Sequence, residues 1–272
     1  MILVSCRKHF DSNQLFGDLH LRRYADLSNT QQFEEITEGT LADEVTDRHV
    51  LVLVHGYRNP LKNVAAAYKK LESELRTRGL IGPGNYDLAI GFLWPGFATH
   101  IGFFAAVPWA NRSASYFRSL MQLLNSNAHT VDIQTHSLGA RVALQALNFE
   151  HEAFADNLML TAPAVDNECL EPKQEFNNAL ASCRRCLVYH SGRDSVLKIA
   201  YRIGSIDKAL GYKGPEHPAI IETECPEVFV VDCTAVVNSH GGYRAASEVY
   251  DQWTRVLDET PLPRFEALKP QK

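Results

Sequence analysis

The apolar positions of the chain fall into short dense runs separated by stretches of helical period. "MILVS" opens it, and "LHLRRYA" alternates apolar and polar residues as a half-exposed strand does. "HVLVLVHG", "YDLAIGFLW", "TVDIQTH", "NLMLTAPAV", "RCLVYHSG" and "VFVVDCTA" are apolar runs of strand length, the pattern of strands buried on both faces. Between and after them lie "NVAAAYKKLESELRTRG", "SASYFRSLMQLLN", "LGARVALQALNF", "DSVLKIAYRIG" and "GGYRAASEVYDQWTRVL", which read as helices. Strands alternating with helices predict an α/β chain with a mostly parallel central sheet of about eight strands covered by helices on both faces. No linker, repeat or low-complexity segment divides residues 1–272, so one domain is expected. Residues 1–45 would supply N-terminal strands, and 95–112 a long connection with the makings of a cap or lid.

Composition narrows the partners. Hydrophobic residues make up 45% and charged residues 22%, enough for a real core in a soluble protein. A net charge of -5 gives no footing for nucleic acid. No apolar run approaches the roughly 20 residues that a bilayer span needs. The apolar start of "MILVSCRKHF" is too short for a secretory leader, and a cytoplasmic location is expected. Six cysteines are then thiols rather than a disulfide framework. The one CxxC pair, Cys183 and Cys186, has no second pair at zinc-site spacing and reads as structural. Neither a metal nor an organic cofactor is expected.

In an open α/β sheet ligands gather beyond the carboxyl ends of the strands, so the residues that follow each apolar run deserve inspection. Ser137, in "VDIQTHSLGARVALQAL", stands between a buried strand and a helix. Such a serine can be lifted on a sharp turn whose helix points positive charge at it, or it can simply cap the helix. The turn needs small residues two positions either side, a demand met by Gly139 and only partly by Thr135. "LVLVHGY" sets a His-Gly pair after an earlier strand, and there the N–H of Tyr57 would face the serine. With the N–H of Leu138 it would form an oxyanion hole. His55 is expected to hold this loop by hydrogen bonds rather than to act as a base.

A serine hydroxyl needs a base, and the base needs a carboxylate to orient it. In chain order, Asp194 in "VYHSGRDSVL" and His240 in "VVNSHGGYRAAS" both follow strands. Asp194 could equally cap the helix that begins at Ser195. Asp166 is the competing acid and Asp232 a weaker one; His217 is the competing base. His190 is expected to be packed within a strand, and His136 to point away from the nucleophile. The candidate constellation is therefore Ser137, Asp194 and His240, with Tyr57 and Leu138 as oxyanion donors.

The motifs "LVLVHGYRNP", "FLWPG", "THSLGARVALQAL", "VYHSGRDSVL" and "SHGGYRAAS" together resemble the α/β-hydrolase superfamily, and within it the DUF900 group of esterase/lipase-like serine hydrolases. The resemblance spans about residues 48 to 253. It implies an α/β-hydrolase fold and places Tyr57, Trp94, Ser137, Asp194 and His240 at the family's motif positions. It further implies cleavage of carboxylic esters through an acyl-enzyme. Thioesterase, amidase or acyltransferase chemistry would use the same groups, and a non-catalytic binding scaffold is the rival from another class. The sequence departs from the family at Thr135. The cluster Phe97, Ile101, Phe103, Phe104, Val107 and Trp109 suggests either core packing or an apolar acyl- or aryl-binding wall. The Gly- and Pro-rich stretch "RIGSIDKALGYKGPEHPAIIETECPE" could add to the rim. The expected partner is a small-molecule ester with an apolar part.

Overall fold

The computed structural model describes residues 1–96, 103–149, 154–204 and 208–271. Its strands are β1 (Ile2–Arg7), β2 (Leu15–Arg23), β3 (Glu34–Ile36), β4 (His49–Val54), β5 (Leu88–Leu93), β6 (Thr130–His136), β7 (Ala155–Thr161), β8 (Cys183–His190), β9 (Val228–Asp232) and β10 (Phe265–Ala267). The helices are α1 (Glu38–Val45), α2 (Leu61–Thr77), α3 (Phe103–Asn125), α4 (Gly139–Leu147), α5 (Ser195–Gly204), α6 (Leu210–Lys213), α7 (Pro218–Glu224) and α8 (Ser247–Leu257). The strands form one sheet in the order β10-β9-β8-β7-β6-β4-β5-β1-β2-β3. Neighbours from β10 to β1 run parallel, and only the β1–β2 and β2–β3 pairs are antiparallel.

The eight strands read from the apolar runs are all present. The two additional ones, β3 and β10, are three residues long and lie at the sheet edges, where so short a segment leaves no periodic signature. β1 joins the parallel body, pairing Ile2 to Ser5 with Ile90 to Leu93 of β5. The N-terminal segment is therefore part of the main sheet rather than an appendage to it.

Val50 to Val54 are all buried, which requires cover on both faces. From β4 the chain steps to β5 on one side and then returns to β6 on the other. Right-handed crossovers in opposite directions put α2 and α3 on opposite faces. α2 and α8 enclose a narrow cavity of about 50 Å³ against β4, β6, β7 and β8. α3 packs on α4 across the other face. The reversal of direction makes the carboxyl ends of β4 and β6 the switch point of the sheet, where a crevice must open.

The opposite, amino-terminal edge is closed by a buried polar cluster. Tyr86 Oη donates to Asp132 Oδ2 at 2.5 Å and accepts from Trp253 Nε1 at 3.1 Å. The backbone N–H of Asn157 reaches Asp132 Oδ1, and the Asn157 amide reaches both carboxylate oxygens, all at 2.9–3.0 Å. Burial pushes the Asp132 carboxyl up to about 6 in spite of these donors. The cluster ties the loop before β5 to β6, β7 and α8 on the side away from the switch point.

Gly91 shows how tightly α2 sits on the sheet. A β-carbon there would lie 2.5 Å from the Tyr68 ring and 2.7 Å from Leu3. Tyr68 cannot swing aside, because its hydroxyl donates between Leu53 O at 2.8 Å and Phe92 O at 3.1 Å. Gly91→Ala is therefore expected to destabilise the protein by about 1–3 kcal/mol, the usual cost of overpacking. Urea unfolding would read this as a lower midpoint at unchanged slope; an unchanged midpoint would contradict the packing described.

Candidate active site

The crevice is built by two turns that nearly touch. Val54 and Thr135 are register partners, so the chains leaving β4 and β6 emerge side by side. A β-carbon on Gly139 would lie 2.5 Å from His55 O and 2.6 Å from Val54 O. One on Gly56 would lie 2.8 Å from Ser137 Cβ and 2.9 Å from His136 O. Neither position can hold a larger residue without moving backbone. Ser137 itself has φ of 56°, in the left-handed region that L-residues other than Asn and Asp seldom occupy. The strained position persists because Ser137 N–H donates to Thr161 O at 3.0 Å, and Ser137 O accepts from Ala140 N and Ala164 N. Thr135, the departure from the family pattern, is accommodated: it is fully buried and its hydroxyl donates to Met159 O at 3.5 Å.

Leu138 stands between the strained serine and the first residue of α4. Among the described residues its N–H has no hydrogen-bond partner, so it is available at the positive end of the helix. Tyr57 lies across the gap, directly after Gly56. Its ring meets that of Phe103 edge-on, with centroids 6.2 Å apart.

Asp194 is fully buried and serves two elements at once. Its Oδ1 accepts from Leu197 N at 3.0 Å, capping α5, and its Oδ2 lies 2.7 Å from His240 Nδ1. The two roles offered by the sequence are thus compatible, and capping fixes the carboxylate for the second. His240 in turn rests on the elbow. Its ring lies 4.7 Å from that of His136, and its carbonyl accepts from His136 Nε2 at 2.9 Å. This corrects the expectation that His136 points away from the site: it packs against the His240 ring. Burial, and then the neighbouring His240 and Arg244, hold His136 well below the ordinary imidazole range, so it stays neutral. Ser137 Oγ forms no hydrogen bond among the described residues, so the link from Ser137 to His240 Nε2 is open in this structure.

The competing His217 and Asp232 are engaged elsewhere. His217 Nδ1 lies 2.9 Å from Oε2 of the buried Glu171, which raises the exposed imidazole above its ordinary value. Asp232 accepts from Thr234 N at 2.8 Å and closes the turn after β9. Asp166 bridges to Ala209 through its backbone. The six cysteines are all free and buried, and among the described residues no group of His, Cys, Asp and Glu could hold a metal ion.

The expected cap falls largely at the edge of what is described. Phe97 and Ile101 lie outside the described residues, as does the Phe104 side chain, while residues 103–112 form the first turns of α3. Phe103, Val107 and Trp109 are partly buried against the core. Of the Gly- and Pro-rich rim, 205–207 lie outside the described residues.

One residue of this site is absent from the sequence reading. Arg7, the last residue of β1, is buried and reaches the loop after β4. Its Nε donates to Trp94 O at 2.9 Å, its Nη1 to Phe10 O at 3.0 Å, and its Nη2 to Asn59 O at 2.8 Å and His55 Nε2 at 3.0 Å. The only local hint is a basic residue directly after six apolar or small ones, a pattern that ordinarily marks a strand emerging into solvent. His55 behaves as expected: it is buried, its ring stacks on that of Trp94, and Trp94 Nε1 donates to its carbonyl at 2.7 Å.

A family model described as an alpha/beta hydrolase of unknown function, DUF900, matches residues 31–255. No curated protein matches the chain. Among solved structures it is similar to the protein of unknown function ATU1826 from Agrobacterium tumefaciens, at 14% identity and a TM-score of 0.45 over 90% of this chain and 95% of that one. It is also similar to an esterase of Pyrobaculum calidifontis, at 14% identity and a TM-score of 0.42 over 79% of this chain and 76% of that one. The esterase Est2 of Thermogutta terrifontis matches at 12% identity and a TM-score of 0.42, over 79% and 81% of the two chains. Among the described residues no helix is long and apolar enough to cross a membrane. Structural likeness this remote carries no weight for chemistry; the family match spans most of the sequence, and by it the chain belongs to the DUF900 alpha/beta hydrolases.

Proposed function

We propose that the protein is a serine hydrolase that cleaves carboxylic esters with Ser137 as nucleophile, His240 as general base and Asp194 as its orienting acid. The observation that carries this reading is the 2.7 Å contact between buried Asp194 and His240, at the same sheet edge as a serine held at positive φ. A carboxylate on Nδ1 fixes the proton there and leaves Nε2 to accept one. In the proposed reaction Ser137 Oγ attacks the ester carbonyl while its proton passes to His240 Nε2. The tetrahedral oxyanion accepts hydrogen bonds from the N–H groups of Tyr57 and Leu138. The C–O bond to the alcohol then breaks as His240 returns the proton to it. Water, deprotonated by His240, attacks the acyl-enzyme and releases the acid with Ser137 restored.

Tyr57, one residue after Gly56, meets the Phe103 ring edge-on, and this apolar contact beside the elbow favours an ester with an apolar acyl or aryl part. The second reading, a binding scaffold without chemistry, draws on the open link between Ser137 Oγ and His240. Links of this kind commonly tighten only in the substrate complex. A strained serine at the same sheet edge as a histidine oriented by a buried carboxylate is a costly arrangement for a scaffold to keep.

The first test is covalent. Wild type is expected to react with a fluorophosphonate probe and to hydrolyse a p-nitrophenyl ester, and Ser137→Ala to lose labelling and about 10⁴-fold or more of its turnover. Failure of wild type to label, with hydrolysis unchanged in Ser137→Ala, would remove the hydrolase reading. The second test separates the two acids. Asp194→Asn is expected to lower kcat by about 10²–10⁴-fold, because the base then holds the wrong tautomer. Asp166→Asn is expected to stay within about twofold of wild type on that same assignment of the acid. The reverse pattern would give the role to Asp166.

A further inference from the structure

Arg7 is a buried cation with no salt bridge among the described residues. It is 1% exposed, and among the described residues no carboxylate lies within ion-pair distance of it. Burial lowers it to about 10, so it is still protonated near neutrality. Removing a charge from water without an opposite charge to meet it is expensive unless every donor is used. Here each of the three guanidinium nitrogens has an acceptor, and two of these acceptors, His55 Nε2 and Asn59 O, belong to the short loop that carries Tyr57.

The consequences follow from donor and acceptor chemistry. A guanidinium can only donate, so His55 Nε2 must accept. Trp94 N–H donates to the same nitrogen at 3.2 Å, which enforces the same assignment. The His55 proton therefore sits on Nδ1, and it is donated to Gly56 O at 2.8 Å. Asn59 Nδ2 donates to that carbonyl as well, at 2.9 Å. In a planar trans peptide the C=O and the following N–H point in opposite directions. Pinning Gly56 O therefore aims the N–H of Tyr57 the other way, and Arg7 grips the loop at both of its ends. Burial, with Arg7 second, holds His55 well below its ordinary range, so the chain of donors does not break by protonation near neutral pH.

We propose that Arg7 is a positioning residue for catalysis: acting through His55 and the Gly56 carbonyl, it orients the Tyr57 N–H as an oxyanion donor. The inference rests on the hydrolase reading above. It assigns a role to the N-terminal strand, and it explains why that strand is built into the parallel body of the sheet beside β5.

The experiment compares wild type with Arg7→Lys and Asn59→Ala on a p-nitrophenyl ester, and reads the His55 tautomer by ¹⁵N NMR. Lysine keeps the charge but cannot reach four acceptors. Arg7→Lys is expected to lower kcat and kcat/KM equally, by about 10–100-fold, with KM within about twofold, the mark of an interaction made in the transition state. Its His55 Nε2 resonance should also shift as the shorter of its two donors is lost, while Trp94 N–H keeps the proton on Nδ1. Asn59→Ala removes the Nδ2 bonds to Gly56 O and to Tyr57 O, at 2.9 and 3.0 Å, and should cost about 3–10-fold in kcat by the same reasoning. Its loss should not add to that of Arg7→Lys in the double variant, since both act on the same loop and share the Gly56 carbonyl. If Arg7→Lys does not fold, the Asn59→Ala split and the wild-type tautomer decide the matter alone. Wild-type kcat in a folded Arg7→Lys, a rise in KM alone in either variant, or a wild-type His55 protonated on Nε2 would overturn the proposal. A wild type that neither labels with fluorophosphonate nor turns over esters would overturn the hydrolase reading instead, and the tautomer would still report whether the clamp exists.

Discussion

Everything at the candidate site depends on how closely two pieces of backbone approach. The turn after β4 and the turn after β6 lie so near each other that a β-carbon on Gly139 would fall 2.5 Å from His55 O, and one on Gly56 would fall 2.8 Å from Ser137 Cβ. The absence of those two carbons lets a left-handed Ser137 sit beside the Tyr57 loop. Adjacent parallel strands on either side of the sheet's reversal supply the frame. Ser137 at positive φ is the strained element of this frame, and the hydrogen bonds to Thr161, Ala140 and Ala164 hold it there.

Around that contact the remaining groups are fixed from outside the elbow. Asp194 arrives after β8 and is stiffened by capping α5, which leaves its second oxygen for His240. His240 is set by its backbone, through His136, and by its ring, through Asp194. The Tyr57 loop is held from the far side by Arg7, His55 and Trp94. Three segments distant in sequence therefore meet at one edge, while the Asp132 cluster closes the other edge of the sheet.

Much of this was legible in the residues, for identifiable reasons. The continuous apolar runs give the parallel strands, because a strand covered on both faces has no polar side to show. Ser137, Asp194 and His240 were legible because each follows such a run, and strand ends are where a sheet of this kind gathers its reactive groups. What was not legible depends on contacts between distant residues. β3 and β10 are too short to carry a period, and their pairing is set by the sheet edges they reach. Arg7 resembles a solvent-seeking residue in "CRKHF", and its partners His55 and Trp94 lie 48 and 87 positions away. The place of His136 is not legible from the elbow alone, because the loop that brings His240 over it lies 104 positions away.

The central claim is that Ser137 attacks a carbonyl whose oxygen is received between the two turns. Its most direct test is a crystal structure of the protein inactivated by an alkyl fluorophosphonate. Continuous density is expected from Ser137 Oγ to phosphorus, with the phosphonyl oxygen about 2.7–3.1 Å from the N atoms of both Tyr57 and Leu138. An adduct on another residue, or a phosphonyl oxygen turned away from both N–H groups, would contradict it.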